Sequence, residues 1–366
     1  MAEIEIGIGK SGRRAYGFDD IAIVPSRRTR DPEDVDISWE IDAFRFELPL
    51  MASAMDGVVS PASAIAIGQL GGVGVLNLEG LWTRYEDPEP LLSEIALLDT
   101  DKATLRMQEI YAEPIKEELV GRRIAEIKEA GVTSCASVTP QRTTHLMKAI
   151  LDAELDLLVI QGTVVSAEHV SKTVEPLNLK RFVRELEIPV IVGGCASYKS
   201  ALQLMRTGAV GILVGVGPGH ACTTRAVLGL GVPQATAIAD GGMSTGGDIA
   251  KAIACGADAV MIASPLAAAH EAPGRGYHWG MATFHPTLPR GARVKTTPRG
   301  TLKEILTGPA HENDGRLNLF GALKTSMATC GYETVKEFQK AEVMVAPALQ
   351  SEGKSLQRAQ GIGMGA

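Results

Sequence analysis

The residue best suited to chemistry in this sequence is a cysteine on a glycine-rich loop. The stretch Gly217-Pro218-Gly219-His220-Ala221-Cys222-Thr223-Thr224-Arg225 follows directly on the apolar run 211–216. A thiolate is intrinsically nucleophilic, and a Gly-Pro-Gly turn bends the backbone tightly while leaving amide N–H groups for an anion. Thr224 lies two residues beyond Cys222, so in an extended loop the two side chains share a side and the hydroxyl can relay a proton. His220 lies two residues before Cys222, where it could depress the thiol pKa or touch a phosphate. The competing reading is a small cysteine buried beside a turn.

A second cluster is Asp240-Gly241-Gly242, at the end of an apolar run, followed by Gly246-Gly247-Asp248 at the start of a helical pattern. Such turns present N–H groups to a phosphate while a carboxylate takes ribose hydroxyls. An ordinary helix cap accounts equally well for Gly246 to Asp248. Ser264 adds a hydroxyl after the last strand-like run. The other histidines, His145, His169, His270, His278, His285 and His311, lack metal-ligand spacing and read as surface or flap residues, so no transition-metal site is expected. Gln69-Leu70-Gly71-Gly72-Val73-Gly74-Val75 runs into a strand, the reverse of the strand-then-helix order of a dinucleotide fingerprint. A nicotinamide cofactor would therefore bind in another way.

These residues sit within a repeating phrase: a helical pattern, a small residue, then a short β-rich apolar run. It recurs in 128–138, 151–160, 206–214 and 254–262, the pattern of αβ units feeding a parallel sheet. Strand-like runs fall at 48–54, 72–77, 133–138, 156–161, 189–194, 211–216, 235–240 and 258–263. Eight parallel strands predict a (β/α)8 TIM barrel, with a doubly wound open sheet as the alternative. Ser53, Gln161-Gly162, Gly193-Gly194, the Cys222 loop, Asp240 to Gly242 and Ser264 all follow strand C-termini, the face on which barrels carry their chemistry. The expected organisation is a single domain over 1–345, with an amphipathic helix near 114–130, a Gly/Pro-rich flap over about 271–300 and a disordered tail over 346–366.

Composition narrows the classes. With 366 residues, 45% of them hydrophobic, the chain can bury a large core. A net charge of −7 argues against a nucleic-acid partner. The five cysteines form no C-x-x-C pair, which fits neither a disulfide framework nor a cysteine zinc site and suits a reducing, cytoplasmic setting. No secretory leader and no apolar run long enough to span a membrane is read.

Taken together, Phe18 to Pro25, Pro49 to Asp56, Gln69 to Leu76, Gly217 to Arg225, Ala239 to Gly242 and Gly247 to Ala252 resemble the IMP dehydrogenase/GMP reductase family over nearly the whole chain. The resemblance implies a phosphate-binding barrel in which Cys222 attacks purine C2 of GMP or IMP while hydride passes to or from NADPH or NAD. Thr224 would relay its proton and Asp240 would hold the ribose. Gly241, Gly242, Ser264 and Tyr277 would hold the phosphate, with His220 in place of the family's usual serine. Ser53 and Met55 would line the base pocket, and Gln161, Gly162, Gly193 and Gly194 would face the cofactor, Gln161 standing where the family has an aspartate. The carbonyls of Gly217, Gly219 and Cys222 resemble the family's monovalent-cation loop, for potassium. A homotetramer or homo-octamer is implied.

The connection after the second strand, about 55 residues by the ranges above, is too short for the paired regulatory CBS domains of the family's dehydrogenases. The flap from Ala272 to Thr301 has no Asp or Glu and no adjacent Arg-Tyr pair, and the reductase glutamate falls on Arg290. His278, His285 and Arg290 are the groups that could substitute for the acid. The segment from Cys222 to Asp240 is short for a full crossover. The expectation is NADPH-dependent GMP reduction to IMP and ammonia. The alternatives are IMP dehydrogenation, and a catalytically weak nucleotide-binding paralogue.

Overall fold

The computed structural model describes residues 3–172, 176–236, 241–280, 293–346 and 354–363. Parallel strands form one curved sheet: β1 (Leu50–Ala52), β2 (Val73–Asn77), β3 (Cys135–Val138), β4 (Leu157–Gln161), β5 (Val190–Cys195), β6 (Gly211–Val214) and β7 (Val260–Ile262). Their spatial order is β6-β5-β4-β3-β2-β1-β7. The last strand thus pairs with the first, Met261 opposite Met51, which is how a barrel curls back on itself. The fold is a (β/α)8 barrel, and these seven strands coincide with seven of the runs expected from the sequence.

The remaining run, 235–240, differs. Gln234–Thr236 form a 3-10 turn, and 237–240 lie outside the described residues. The chain next appears at Gly241, whose amide donates to the Met261 carbonyl at 3.0 Å, beside β7 in the gap that faces β6. The shortness of this crossover is visible in its helix.

The crossover helices include α1 (Pro61–Gln69), α2 (Glu89–Leu97), α3 (Thr100–Ile110), α4 (Glu117–Glu129), α5 (Thr143–Asp152), α6 (Leu179–Glu185), α7 (Tyr198–Met205), α8 (Thr224–Leu228) and α9 (Gly246–Ala254). The expected amphipathic helix is α4, which buries Leu119, Val120, Ile124 and Ile127. Helix α8 has only 5 residues and stops at left-handed Gly229 (φ +68°). Within the expected tail, Lys354–Ala359 form a short helix.

Strand periodicity sorts side chains into two cores. Met51, Val73, Val75, Cys135, Leu157, Val159, Ile191, Leu213 and Met261 point into the barrel. Their neighbours Leu50, Ala52, Leu76, Ala136, Leu158, Ile160, Val192 and Ile262 face the helices. The N-terminal end of the barrel is closed by the hairpin Trp39–Ile41/Phe44–Phe46. There Trp39 stacks on Phe46 with ring centroids 5.2 Å apart and donates to the Leu48 carbonyl at 2.8 Å. With that end plugged, the opposite end is left to form a site.

Candidate active site

The polar rim follows from the same alternation. Two residues past the inward apolar positions Met51, Val75, Cys135 and Val159 come Ser53, Asn77, Ser137 and Gln161, and all four line a cavity of about 400 Å³ at the C-terminal ends of the strands. Ligand pockets typically run from roughly 300 to 1,000 Å³, so the space suits a nucleotide-sized molecule. Glu79 and Thr139 continue the rim, with Glu79 Oε1 accepting from the Thr139 amide at 2.6 Å.

Cys222 enters this cavity from the loop after β6. Gly217 (φ +81°) starts the turn, in a left-handed conformation where a Cβ would also strike Arg225. Gly219 O then accepts from the Cys222 amide at 3.0 Å, and Thr223 leads into α8. The Cys222 thiol donates to Thr224 Oγ1 at 3.1 Å. Thr224 is buried and Cys222 is exposed to the cavity, so the hydroxyl is fixed beside a reachable sulfur.

The other cysteines are unlike it. Burial pushes Cys195 up to about 11 and raises Cys135, Cys255 and Cys330 as well, which holds them as thiols. The buried-cysteine reading belongs to them and not to Cys222.

On the opposite side of the Cys222 loop from β6, Gly241, Gly242, Met243 and Ser244 line the cavity. Gly242 (φ +75°) packs so closely on Pro218 that a Cβ would sit 2.9 Å from its ring. Asp248 is spent on a cap: Thr245 Oγ1 accepts from its amide at 3.2 Å, and its carboxylate accepts from the Ser244 and Thr245 amides. The helix-cap reading of that motif is therefore the one realised.

His278 is the largest departure from the sequence reading. It is fully buried, on the short strand β8 (Tyr277–His278), which pairs with β9 (Val294–Lys295). Its Nε2 shares a hydrogen bond of 2.9 Å with Ser264 Oγ and its Nδ1 one of 3.0 Å with Thr296 Oγ1. The His220 ring lies 6.2 Å away, centroid to centroid. Burial, with the neighbouring His220, pushes the His278 imidazole down to about 4, so the ring is neutral near pH 7. Both partners are hydroxyls, which can donate or accept, so either tautomer keeps two hydrogen bonds.

A family model described as IMP dehydrogenase / GMP reductase domain matches residues 15–355. The chain belongs to the IMP dehydrogenase/GMP reductase family and is an oxidoreductase. It is 45% identical to an uncharacterized oxidoreductase of Mycolicibacterium smegmatis, covering 93% of this chain and 99% of that one. It is 28% identical to the inosine-5'-monophosphate dehydrogenase of Methanocaldococcus jannaschii, over 93% and 94% of the two chains. The crystal structure of an IMP dehydrogenase/GMP reductase-like protein from Corynebacterium glutamicum superposes with a TM-score of 0.88 at 43% identity, covering 94% of this chain and 97% of that one.

Within this family member, the cavity gathers Cys222, Thr224, Ser53, Met55, His220, Gly241, Gly242, Ser264, Gln161, Gly162, Gly217 and Gly219. Three expected positions sit elsewhere. Tyr277 is not among the lining residues; strand alternation turns it away from His278, and the Arg293 guanidinium covers its ring at 4.4 Å. Gly193 and Gly194 are buried in β5 against Leu213 and Gly215 and do not line the cavity. Asp240, His285 and Arg290 lie outside the described residues.

The sequence reading missed Asn77, Glu79, Ser137 and Thr139, and it read His278 as a flap residue that could replace the acid, not as a buried imidazole. The four missed residues were detectable, since each extends an inward register set by apolar residues on its own strand. The burial of His278 was not, because it depends on Ser264 and Thr296, which are 14 and 18 residues away. Among the described residues, no helix is long and apolar enough to cross a membrane.

Proposed function

We propose that the protein reduces GMP at purine C2, converting GMP and NADPH to IMP, ammonium and NADP through a covalent adduct on Cys222. The observation that carries this reading is the Cys222–Thr224 pair, 3.1 Å apart, at the mouth of a cavity of nucleotide size. The Cys222 sulfur adds to C2, and the C2–N bond breaks as the amine takes a proton and leaves as ammonia. A hydride then reaches C2, and the C–S bond breaks to release IMP and restore the thiolate. Thr224 Oγ1 relays the thiol proton, taking it from sulfur as it gives up its own toward the departing amine. Glu79 is the sole carboxyl group among the described residues that line the cavity, and it delivers the proton to the leaving amine.

Ser264, His278, His220 and the Gly241-Gly242 turn hold the phosphate, and Ser53 and Met55 flank the base. Gln161 and Gly162 receive the nicotinamide. Among the described residues the Gln161 amide is held by a 3.8 Å contact to Met261 Sδ, too weak to tie it down, which leaves its polar atoms for a carboxamide. NADPH, when bound, supplies the hydride. The Gly217, Gly219 and Cys222 carbonyls offer a potassium site; the Gly219 oxygen keeps a second lone pair beyond its bond to the Cys222 amide. A cytoplasmic homotetramer or homo-octamer completes the reading.

Reduction is favoured over oxidation because helices α2 to α4 fill the connection where the family's dehydrogenases carry regulatory domains, and because 272–301 contains no adjacent Arg-Tyr pair. The dehydrogenase reading is supported by the Methanocaldococcus relative, which is similar over nearly its full length. The deciding experiment follows reduced-nicotinamide absorbance with potassium and either GMP plus NADPH or IMP plus NAD, each repeated with Cys222→Ala. Absorbance falling with GMP and lost in the variant supports reduction. A rise with IMP makes the protein a dehydrogenase. Nucleotide binding without turnover, unchanged by Cys222→Ala, assigns it to a binding role.

A further inference from the structure

The helical insertion between β2 and β3 reaches the cavity through a buried relay. At the end of α3, the Tyr111 hydroxyl donates to Asp56 Oδ2 at 2.5 Å and accepts from Trp279 Nε1 at 2.8 Å. Asp56 Oδ2 also accepts from the Leu81 amide at 2.8 Å, and Asp56, Tyr111 and Trp279 are all buried. Asp56 closes the loop that carries Ser53 and Met55, whereas Trp279 immediately follows His278. One hydroxyl therefore joins two walls of the cavity that are more than 200 residues apart in sequence.

The geometry makes this join directional. Along an extended segment, neighbouring side chains face opposite sides, so Trp279 anchored in the core sends His278 toward the cavity. The backbone of the same stretch is pressed against the β1 loop: Gly274 N donates to Gly57 O at 3.1 Å, and a Cβ on Gly57 would meet the Tyr277 carbonyl at 2.7 Å. The insertion also grips the segments on both sides of 281–292. Arg275 pairs with Glu89 at 2.8 Å, and Arg293 donates to the Leu98 carbonyl at 2.6 Å and to the Ile95 carbonyl. The Arg275–Glu89 pair is exposed and contributes little; the buried hydroxyl is the strong link.

We infer that Tyr111 is a positioning residue for the active site, setting His278 and the Ser53–Met55 loop relative to one another, and that the insertion is thereby part of the catalytic apparatus. Its role in turnover rests on the function proposed above, but the positioning itself does not.

The test is a double-mutant cycle of Tyr111→Phe and His278→Asn, with Trp279→Phe as an independent break of the same relay. In ligand-free protein, the His278 imidazole signals in histidine-selective NMR, assigned by their absence in His278→Asn, are expected to move in Tyr111→Phe and in Trp279→Phe. With substrates, Tyr111→Phe should lower kcat/KM by roughly tenfold at temperatures well below its Tm, and that factor should shrink toward unity in the His278→Asn background. If no turnover is found, the same cycle is read in the Kd for GMP. Unmoved His278 signals overturn the inference whether or not nucleotide binds. Strictly additive effects overturn it too, because a loss of stability alone does not couple to His278. Moved signals with no turnover would sink the proposed reaction and leave the positioning role standing.

Discussion

The two ends of the barrel are built from the same strands with the same period of two, yet they differ in every other respect. At the N-terminal end the inward positions stay apolar, and the hairpin with Trp39, Ile41 and Phe46 seals them. At the C-terminal end the inward positions turn polar within one step, at Ser53, Asn77, Ser137 and Gln161, and a cavity opens above them. The lower end holds the fold together, and the upper end forgoes packing to leave room for chemistry. Burying apolar side chains below offsets the cost of keeping polar groups and a reachable thiol above.

That contrast can be broken from either end. The largest expected effect is at the rim: Cys222→Ala should lower turnover by at least about four orders of magnitude while leaving the unfolding free energy within roughly 0.5 kcal/mol. Steady-state rates and urea unfolding on the same preparation check it. The mirror case is Phe46→Ala, which should cost about 3–5 kcal/mol of stability and leave kcat per folded molecule unchanged.

Next comes pH. The His278 pKa is depressed in the fold, to about 4 from an ordinary 6.5, so the unfolded chain binds the extra proton first as pH falls. Its contribution is complete above about pH 6.5 and is lost as pH drops toward 4, by up to roughly 3 kcal/mol. His278→Asn should flatten that part of the stability profile, as read by chemical denaturation at pH 7 and pH 5.

Smaller still is Thr224→Val, which removes the hydroxyl beside the thiol. We expect a loss of about 10²-fold in kcat and roughly 1 kcal/mol in stability. The smallest effect should be at Tyr277, which faces away from the cavity. Tyr277→Phe should leave KM for the nucleotide within about twofold, because the ring that Arg293 covers is retained. A large rise in KM would place Tyr277 on the phosphate after all and sharpen the boundary between rim and surroundings.

How the sequence relates to this arrangement differs by residue. Seven of the eight strand-like runs, the loop bearing Cys222, and the Cys222–Thr224 pair are local features: each depends on apolar periodicity or on residues two apart, and each is found where those patterns put it. The Thr245–Asp248 cap is local in the same sense.

Tertiary structure decided what depends on distant partners. It separated Cys222 from four cysteines whose thiols burial holds protonated, a difference of environment that no spacing encodes. It turned His278 inward and Tyr277 outward, because their neighbours come from Ser264, Thr296 and Arg293. It also brought Tyr111 of the insertion against Asp56 and Trp279, joining segments that share no local pattern. The sequence by itself determined which strands form and where the cavity-facing thiol sits, because hydrophobic period and turn chemistry act within a few residues. Only the closed barrel decided what surrounds that thiol, because burial and hydrogen bonding across the rim arise when strands far apart in the chain are brought side by side.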